Sequence, residues 1–382
     1  MERSTERILT THTGSLPRPD DLVAMVEGRD QRELRADPRF EERVASAVAE
    51  LVRRQVESGI TVVNDGEASK VGYSTYVVER LTGFSEQTGQ MRPNVEARDF
   101  PEFYQQRVLA GATIRRPVCT GPIAWVGDAL VQRDIANLKA ALRGVAVDDA
   151  FMTAASPGVV WHFLENEYYP THEAYVFAVA DAMRNEYRQI HEAGFVLQLD
   201  CPDLAMGWNR YNFADATVDD FREHVELHVA ALNHATAGIP ADAIRLHLCW
   251  GNFEGPHVRD VPLGRIFDIV LKANAGAFSF EGANPRHEHE WRVFEETRLP
   301  DGKAIIPGVL DSTTNFVEHP QLVADRIVRY ARLVGRENVI AGTDCGFSTF
   351  ARSQLTVHPT VTWAKFAAMA EGARLATEQL WG

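Results

Sequence analysis

The stretch Phe195–Trp250 sets the pattern of the whole chain. It opens with a short apolar run, FVLQLD at 195–200, continues through an amphipathic segment, VDDFREHVELHVAALNHA at 218–235, and closes with IRLHLCW at 244–250. Short apolar runs are typical of strands that are buried on both faces, and apolar residues at steps of three and four are typical of a covering helix. We therefore predict a strand–helix–strand unit with two parallel strands.

The same alternation extends along the chain and predicts its fold class. Eight runs are predicted as strands: Ile8–Ser15, Thr61–Asp65, Pro117–Gly121, Phe195–Asp200, Ile244–Trp250, Ala277–Glu281, Ile305–Asp311 and Val339–Asp344. Helical patterns lie between them at Glu41–Glu57, Ala174–His191, Val218–Ala235, Arg265–Ala273 and Gln321–Val334. Eight such units predict an α/β protein with a single (β/α)8 TIM barrel as its one domain, residues 1–382. An open doubly wound sheet is the alternative.

Two intervals, 66–116 and 122–194, are longer than one connecting helix needs. Long insertions of this kind are common after barrel strands, where they form lids and substrate walls. We interpret both intervals as βα-loop excursions over the C-terminal face of the barrel.

Composition excludes several function classes. The net charge is −14 and no Lys/Arg run stands out, which argues against a nucleic-acid partner. No apolar run approaches about 18 residues, and the charged N-terminus does not look like a secretory signal, so we expect a cytoplasmic protein without a membrane partner. Four cysteines are too few for a disulfide framework, and we expect reduced thiols.

Residues with reactive side chains cluster where the predicted strands end. They are Thr13-Gly14-Ser15, Asn64-Asp65-Gly66-Glu67, Asp200, Glu281, Asp311 and Asp344-Cys345. In a parallel barrel these ends share one rim, which is the catalytic face. Ordinary turn chemistry also places Asp and Gly at strand ends, but it does not explain the cysteines.

The fifth predicted strand carries His247-Leu248-Cys249. Side chains two apart on a strand share one face, roughly 6–7 Å apart, so a single metal ion can bind both. Taken alone, the pair is more often two ordinary core residues than a metal site. With Cys345 and Glu281 it becomes an imidazole, two thiolates and a carboxylate, a set that suits Zn²⁺ and disfavours Mg²⁺.

Other potential ligands rank lower. The run Arg286–Glu290 contains His287 and His289, and we interpret it as a solvated loop with local ion pairs. Four further residues are ranked below the proposed ligands, namely His12, His257, Cys119 and Cys201.

Six segments resemble the catalytic barrel of the cobalamin-independent methionine synthase family. They occur in family order along nearly the whole chain: THTGSLP at 11–17, NDGE at 64–67, LQLD at 197–200, RLHLC at 245–249, FE at 280–281 and GTDCG at 342–346. The epoxyalkane:coenzyme M transferases, in the same superfamily, share the His-x-Cys…Cys pattern. The combination of segments is specific, whereas no single segment is.

The resemblance implies both an activity and a set of site residues. It implies zinc bound by His247, Cys249, Glu281 and Cys345, and S-methyl transfer to homocysteine to give methionine. It implies substrate binding by Thr13, Gly14, Ser15, Glu67 and Asp200, the last two being also the expected catalytic residues. The chemistry of the residues agrees, because a zinc ion replaces the proton of a thiol and so presents the nucleophilic thiolate near neutral pH.

The chain departs from the long members of the family on the methyl-donor side. Those members carry a second, N-terminal barrel and a His two residues beyond the Asp that ends strand seven, whereas this chain reads DSTTN at 311–315. Where they carry Asp-Glu-Pro, this chain has Asp200-Cys201-Pro202. The donor is therefore open: a methylated corrinoid protein, a small methyl compound or an epoxide could take the place of a folate.

Three other functions remain as alternatives. The first is alkylation of a sulfonate thiol, coenzyme M, which needs basic partners; the candidates are Arg18, Arg115, Arg116 and Arg210. The second is a non-catalytic zinc-binding barrel, since four protein ligands close a structural site. The third is a decarboxylase of related architecture without a metal.

Overall fold

The computed structural model describes residues 1–26, 37–88, 94–110, 116–351 and 355–382. Its centre is a parallel sheet of seven strands, ordered as they occur in the chain. These strands are β1 (Val62–Val63), β4 (Asp149–Ala155), β5 (Val196–Asp200), β6 (Ile244–His247), β7 (Ala277–Phe280), β8 (Ala304–Leu310) and β9 (Gly342–Thr343). A separate antiparallel pair consists of β2 (Phe84–Thr88) and β3 (Pro117–Cys119).

Helices follow the strands and complete the α/β architecture. Those in the described ranges are α1 (Asp20–Val26), α2 (Pro38–Glu57), α3 (Pro101–Ala110), α4 (Asp128–Ala141), α5 (Pro157–Phe163), α6 (His172–Glu192), α7 (Val218–Ala235), α8 (Phe267–Val270), α9 (Val293–Glu296), α10 (Pro320–Val334) and α11 (Pro359–Trp381). No helix among these residues is both long and apolar enough to cross a membrane.

The register of the sheet aligns the carboxyl ends of its strands. Asp200, the last residue of β5, lies opposite His247, the last residue of β6. All residues of β5 to β8 are buried, as expected for strands covered on both faces. The polar side chains that follow these strands therefore meet at one edge of the sheet.

The segment around Thr10 bonds to both edges of the sheet. The carbonyl oxygen of Thr10 accepts hydrogen bonds from the backbone N–H groups of Thr61 and Val62, at 3.1 and 3.0 Å. On its other side, Thr11 N donates to Ala341 O and Ala341 N donates to Leu9 O. The predicted strand Ile8–Ser15 is thus reduced to an isolated bridge between Thr10 and Ala341.

The prediction that the third strand belongs to the parallel sheet is wrong. Pro117–Gly121 contains β3, which pairs antiparallel with β2 outside the parallel sheet. The parallel sheet instead takes β4, from the interval 122–194 that we interpreted as a loop excursion. The sequence of β4, DAFMTAA, contains few β-branched residues, so its burial between neighbouring strands outweighs a weak local preference.

Four of the five predicted helices are confirmed by α2, α6, α7 and α10. The fifth, Arg265–Ala273, is shorter than predicted, because only the single turn of α8, Phe267–Val270, is α-helical there. After Val270 the turns tighten, since Lys272 N donates to Ile269 O and Ala273 N donates to Val270 O, the spacing of a 3-10 turn.

Candidate metal and thiol site

Three potential metal ligands converge at the carboxyl edge of the sheet. His247 ends β6, Cys249 follows it by two residues, and Cys345 follows β9. One ligand atom from each lies within 4.8 Å of the other two. The structure therefore brings together three of the four residues predicted to bind zinc.

The imidazole of His247 has one ring nitrogen available to bind a metal ion. Its Nδ1 lies 3.1 Å from Ser279 Oγ, while its Nε2 is buried without a hydrogen-bond partner. Burial lowers the pKa of His247 to about 4, so the ring is neutral near pH 7. A neutral imidazole with one nitrogen held by a hydroxyl and the other free is the usual arrangement of a metal-binding histidine.

The two thiols interact with each other. The hydrogen bond from Cys345 lowers the pKa of Cys249, and the same bond raises the pKa of Cys345 well above its ordinary value. A thiol proton thus lies between the two buried sulfur atoms. A soft or borderline cation that replaces this proton fits the donor set of one imidazole and two thiolates.

Glu281 lies beside this group, and its carboxylate is firmly held. Oε1 accepts from Trp250 N at 2.8 Å, and Oε2 accepts from Asn284 Nδ2 at 2.7 Å. Asp344 fixes Asn284 in turn by accepting from its backbone and side-chain N–H groups. Burial, reinforced by the Cys249 sulfur, raises the pKa of Glu281 to about 7. Its role as a fourth ligand stays a prediction.

Glu67 provides a negative group with an unused acceptor. It has a left-handed backbone, φ 56°, directly after Gly66. Its Oε1 accepts from Thr153 Oγ1 at 2.7 Å, whereas its Oε2 is buried without a partner. The pKa of Asp200 is raised to about 7 by burial and by the nearby Glu67 carboxylate. The two predicted acidic residues therefore share one pocket.

A buried polar chain positions Asp200. Gln198 Nε2 donates to Asp200 Oδ1 at 2.7 Å, and Arg245 Nε donates to Gln198 Oε1 at 2.7 Å. Our sequence analysis missed Gln198 and Arg245. The available signal was a polar residue within each of two apolar strand runs, because such a residue needs partners inside the barrel.

The turn Thr13–Ser15 lies against the loop that carries Cys345. Thr13 Oγ1 is 3.2 Å from the Thr343 hydroxyl, and Ser348 N is 3.4 Å from Ser15 Oγ. Gly14 has φ 143°, and a Cβ there would lie 2.6 Å from Thr153 Cγ2 and 3.3 Å from Glu67 Oε1. This turn thus presents bare backbone next to the acidic pocket.

The interpretation of Arg286–Glu290 as a solvated loop is wrong for two of its residues. His287 and Glu290 are buried, although His289 is exposed. His287 stacks on Trp250, with 3.9 Å between ring centroids, and its Nε2 lies 3.1 Å from Asp260 Oδ2. Burial lowers the pKa of His287, but hydrogen bonds to Asp260 and Glu290 and the charge of Glu281 together raise it to about 10, so a cation lies behind Glu281.

The arginines proposed as sulfonate partners have other contacts. Arg18 is buried, and its guanidinium donates to Ser348 and to the carbonyl oxygens of Glu67 and Lys70. Arg116 lies over the ring of Phe163 and Arg210 over that of Trp161. Arg115 lies outside the described residues. Arg18 therefore holds loops together rather than facing a ligand.

The comparison with known protein families identifies the family of the chain. The profile described as "Cobalamin-independent synthase, Catalytic domain" matches residues 8–369. The chain belongs to this family. It is accordingly a transferase.

Relatives of the chain match over nearly their full length. A methionine synthase of Saccharolobus islandicus (strain Y.N.15.51 / Yellowstone #2) is 24% identical over 375 residues, covering 97% of this chain and 95% of the relative. One of Thermococcus kodakarensis is 22% identical over 372 residues, covering 97% and 94%. The solved structure of a B12-independent methionine synthase from Shewanella sp. W3-18-1, in complex with selenomethionine, has a TM-score of 0.75 at 19% identity, covering 98% of this chain and 99% of that one. The fold is thus the one adopted by these synthases.

The stretch 311–315, where the sequence departs from the long members of the family, lies beside the loop that carries Cys345. The carboxylate of Asp311 accepts from the hydroxyls of Thr313 and Thr314, at 2.8 and 2.6 Å. Ser312 Oγ donates to Asn252 Oδ1 at 2.9 Å, and Asn252 in turn donates to Gly346 O. Hydroxyl and amide groups thus line this side of the site.

Proposed function

We propose that the chain transfers a methyl group to the thiol of homocysteine, with a zinc ion bound by His247, Cys249, Cys345 and Glu281. The observation that carries the proposal is the convergence of three ligand atoms within 4.8 Å, with the unpartnered His247 Nε2 among the buried groups. When bound there, zinc would supply Lewis-acid stabilisation of the substrate in its thiolate form.

The protein residues act on the amino-acid part of the acceptor. Glu67 Oε2 is a free acceptor for an ammonium group, and Asp200 adds a second carboxyl to the same pocket. The turn Thr13–Ser15 provides backbone groups for the other end of the amino acid. A sulfonate thiol is disfavoured, since the same carboxylates repel it and Arg18 is already hydrogen-bonded.

We further infer that the sheet closes into a barrel of eight strands, with the Thr10 segment as the eighth. The Thr10 segment hydrogen-bonds to β1 and to the residue before β9, which are the two edges of the seven-stranded sheet. A closed barrel leaves no unpaired edge and directs all strand ends to one rim.

The methyl donor is proposed to be other than a folate. The stretch Asp311–Asn315 offers hydroxyls and an amide but no imidazole to protonate a leaving group. A methylated corrinoid protein or a small methyl compound needs no such proton donor if its leaving group is stable without protonation.

Removal of one sulfur ligand tests the proposal. We expect Cys345→Ser to lose the zinc ion of this site and methyl transfer, measured by elemental analysis relative to the wild type and by methionine formation from a panel of methyl donors. Cys119→Ser is the matched control, because Cys119 is a buried free thiol whose sulfur bonds to Gly121 O. A Cys345→Ser protein with full zinc content would overturn the ligand assignment.

Binding of the acceptor gives a second test that needs no donor. Homocysteine added to the zinc-loaded chain should release a proton, because the thiol binds as thiolate. Coenzyme M should release none at the same concentration. Absence of proton release with homocysteine would refute the proposed acceptor.

A further inference from the structure

A second cluster of potential metal ligands lies away from the sulfur site. His224 and His228 are one turn apart on α7, and His172 is the first residue of α6. One ring nitrogen from each lies within 4.8 Å of the other two. None of these residues belongs to the predicted zinc set, and nothing in the proposed reaction uses them.

The nitrogen positions are close to those of ligands around one ion. The Nε2 atoms of His172 and His228 are 3.0 Å apart. Two nitrogens bound tetrahedrally at about 2.0–2.1 Å from a zinc ion would be roughly 3.3 Å apart. The third residue, His224, has a buried Nε2 without a hydrogen-bond partner. A small adjustment of the rings would therefore direct three imidazoles at one cation.

A buried carboxylate orients the cluster from behind. His228 Nδ1 lies 2.7 Å from Asp203 Oδ2, and Ser156 Oγ donates to Asp203 Oδ1 at 2.8 Å. A carboxylate on Nδ1 keeps a lone pair on Nε2, which now accepts from His172 Nε2 and which a metal ion could take in place of that proton, as in carboxylate–histidine–zinc arrangements. Gly158 permits this approach, because a Cβ there would lie 2.0 Å from Asp203 Oδ2 and 2.2 Å from His228 Nδ1.

The charges around the cluster limit which ligand can occupy the fourth coordination position of a bound ion. Arg210 lies over the adjacent Trp161 ring, with 4.1 Å from its Cζ to the centroid, and donates to Trp161 O. Its positive charge opposes a cation, whereas the buried Asp203 favours one. Three protein ligands leave a fourth position for water or a small anion, and an anion would offset the charge of Arg210.

We propose that His172, His224 and His228 form a second, all-imidazole site for a divalent transition metal, independent of the sulfur site. Imidazole donors suit Zn²⁺, Ni²⁺ and Cu²⁺ rather than Mg²⁺ or Ca²⁺. The bound ion would join the start of α6 to the middle of α7.

Metal stoichiometry tests this proposal on the full chain without an affinity tag. The chelator-stripped protein is dialysed against Zn²⁺, and the bound metal is counted by elemental analysis. We expect two ions per wild-type chain, one in His224→Gln, one in Cys345→Ser and none in the double variant. The matched control is His234→Gln, which alters a histidine at the end of the same helix that pairs with Asp181, and should keep two.

Cobalt spectra separate the two sites even where a variant folds poorly. The Co²⁺ of the sulfur site should show a thiolate charge-transfer band, whereas Co²⁺ bound to Cys345→Ser should show only the bands of nitrogen ligands. In a wild-type titration, one of the two equivalents should therefore bind without adding thiolate absorption. One ion per wild-type chain, lost in Cys345→Ser, would overturn the second site. Two ions in both the wild type and Cys345→Ser would instead contradict the sulfur ligands.

Discussion

His12 shows how one buried side chain can make folding depend on pH. Its Nδ1 accepts from Gly14 N at 3.2 Å, and its Nε2 lies 2.8 Å from Gln55 Oε1. The Gly14 bond requires a lone pair on Nδ1, so the ring is neutral with its proton on Nε2. Burial lowers the pKa of His12 to about 3, below its ordinary 6.5.

The sign of the pH effect follows from this lowered pKa. Between pH 3 and 6.5 the unfolded chain binds a proton at His12 that the folded chain does not. Stability contributed by this site is therefore present above pH 6.5 and lost as the pH falls. In His12→Asn, the acceptor for Gly14 is retained but the titration is removed.

We expect the wild type to lose stability relative to His12→Asn by about 2 kcal/mol between pH 7.5 and 5.0. The comparison of urea unfolding at both pH values gives this difference directly. A difference between the two proteins that does not change with pH would contradict the assigned ring state.

Glu67 allows a test of the acceptor pocket at the level of a single atom. Glu67→Gln keeps the size of the side chain but removes its charge. If Glu67 Oε2 binds an ammonium group, homocysteine binding should weaken by at least about tenfold. Calorimetric titration of the zinc-loaded proteins measures the change. The matched control ligand is 4-mercaptobutyrate, which lacks the amino group and should bind both proteins equally; equal weakening of both ligands would contradict the pairing.

At the scale of elements, local signals predicted helices better than strands. The start of α7 agrees with the prediction and coincides with a capping box, in which Thr217 and Asp220 bond each other's backbone N–H groups. In contrast, β4 has a weak local signal, and the Thr10 segment forms only a bridge. Whether a segment forms a strand depends on neighbouring strands that are distant in sequence, whereas a helix makes its backbone hydrogen bonds within itself.

The capping box of α7 can be tested by removal of one hydroxyl. Thr217→Ala should reduce the free energy of unfolding by about 1 kcal/mol, because Asp220 N loses its acceptor. Chemical denaturation measures the loss. Glu223→Ala, at an exposed position in the middle of the same helix, should change stability little. A Thr217→Ala protein as stable as the wild type would show that tertiary packing alone holds this end of the helix.

At the scale of the whole molecule, Arg245 connects distant parts of the chain inside the curled parallel sheet. From β6 its guanidinium donates to Gln198 on β5, to the Thr11 hydroxyl at 2.9 Å and to the His12 carbonyl oxygen. It also lies over the Phe151 ring of β4, at 3.4 Å from the centroid. Burial lowers the pKa of Arg245 to about 9. Burying the charged guanidinium costs free energy, and the hydrogen bonds it donates offset that cost.

Replacement of this arginine should weaken the entire fold. Arg245→Met fills similar space but leaves three buried acceptors without a donor, at about 1–3 kcal/mol each. We expect a loss of at least about 3 kcal/mol in urea unfolding. Arg298→Met, at a position with 89% side-chain exposure, should cause no measurable loss. Full stability of Arg245→Met would mean that water replaces the guanidinium.

The sequence by itself determined the alternation of strands and helices, the family, and three side chains that meet as potential zinc ligands. These features are carried by local periodicity and by short motifs, which are readable without knowledge of distant contacts. Only the tertiary structure decided which strand enters the sheet between β1 and β5, that Arg245 and Gln198 hold Asp200, and that three histidines of α6 and α7 lie together. The physical reason is that burial and pairing energies arise between residues far apart in the chain, and no local pattern encodes which of them will meet.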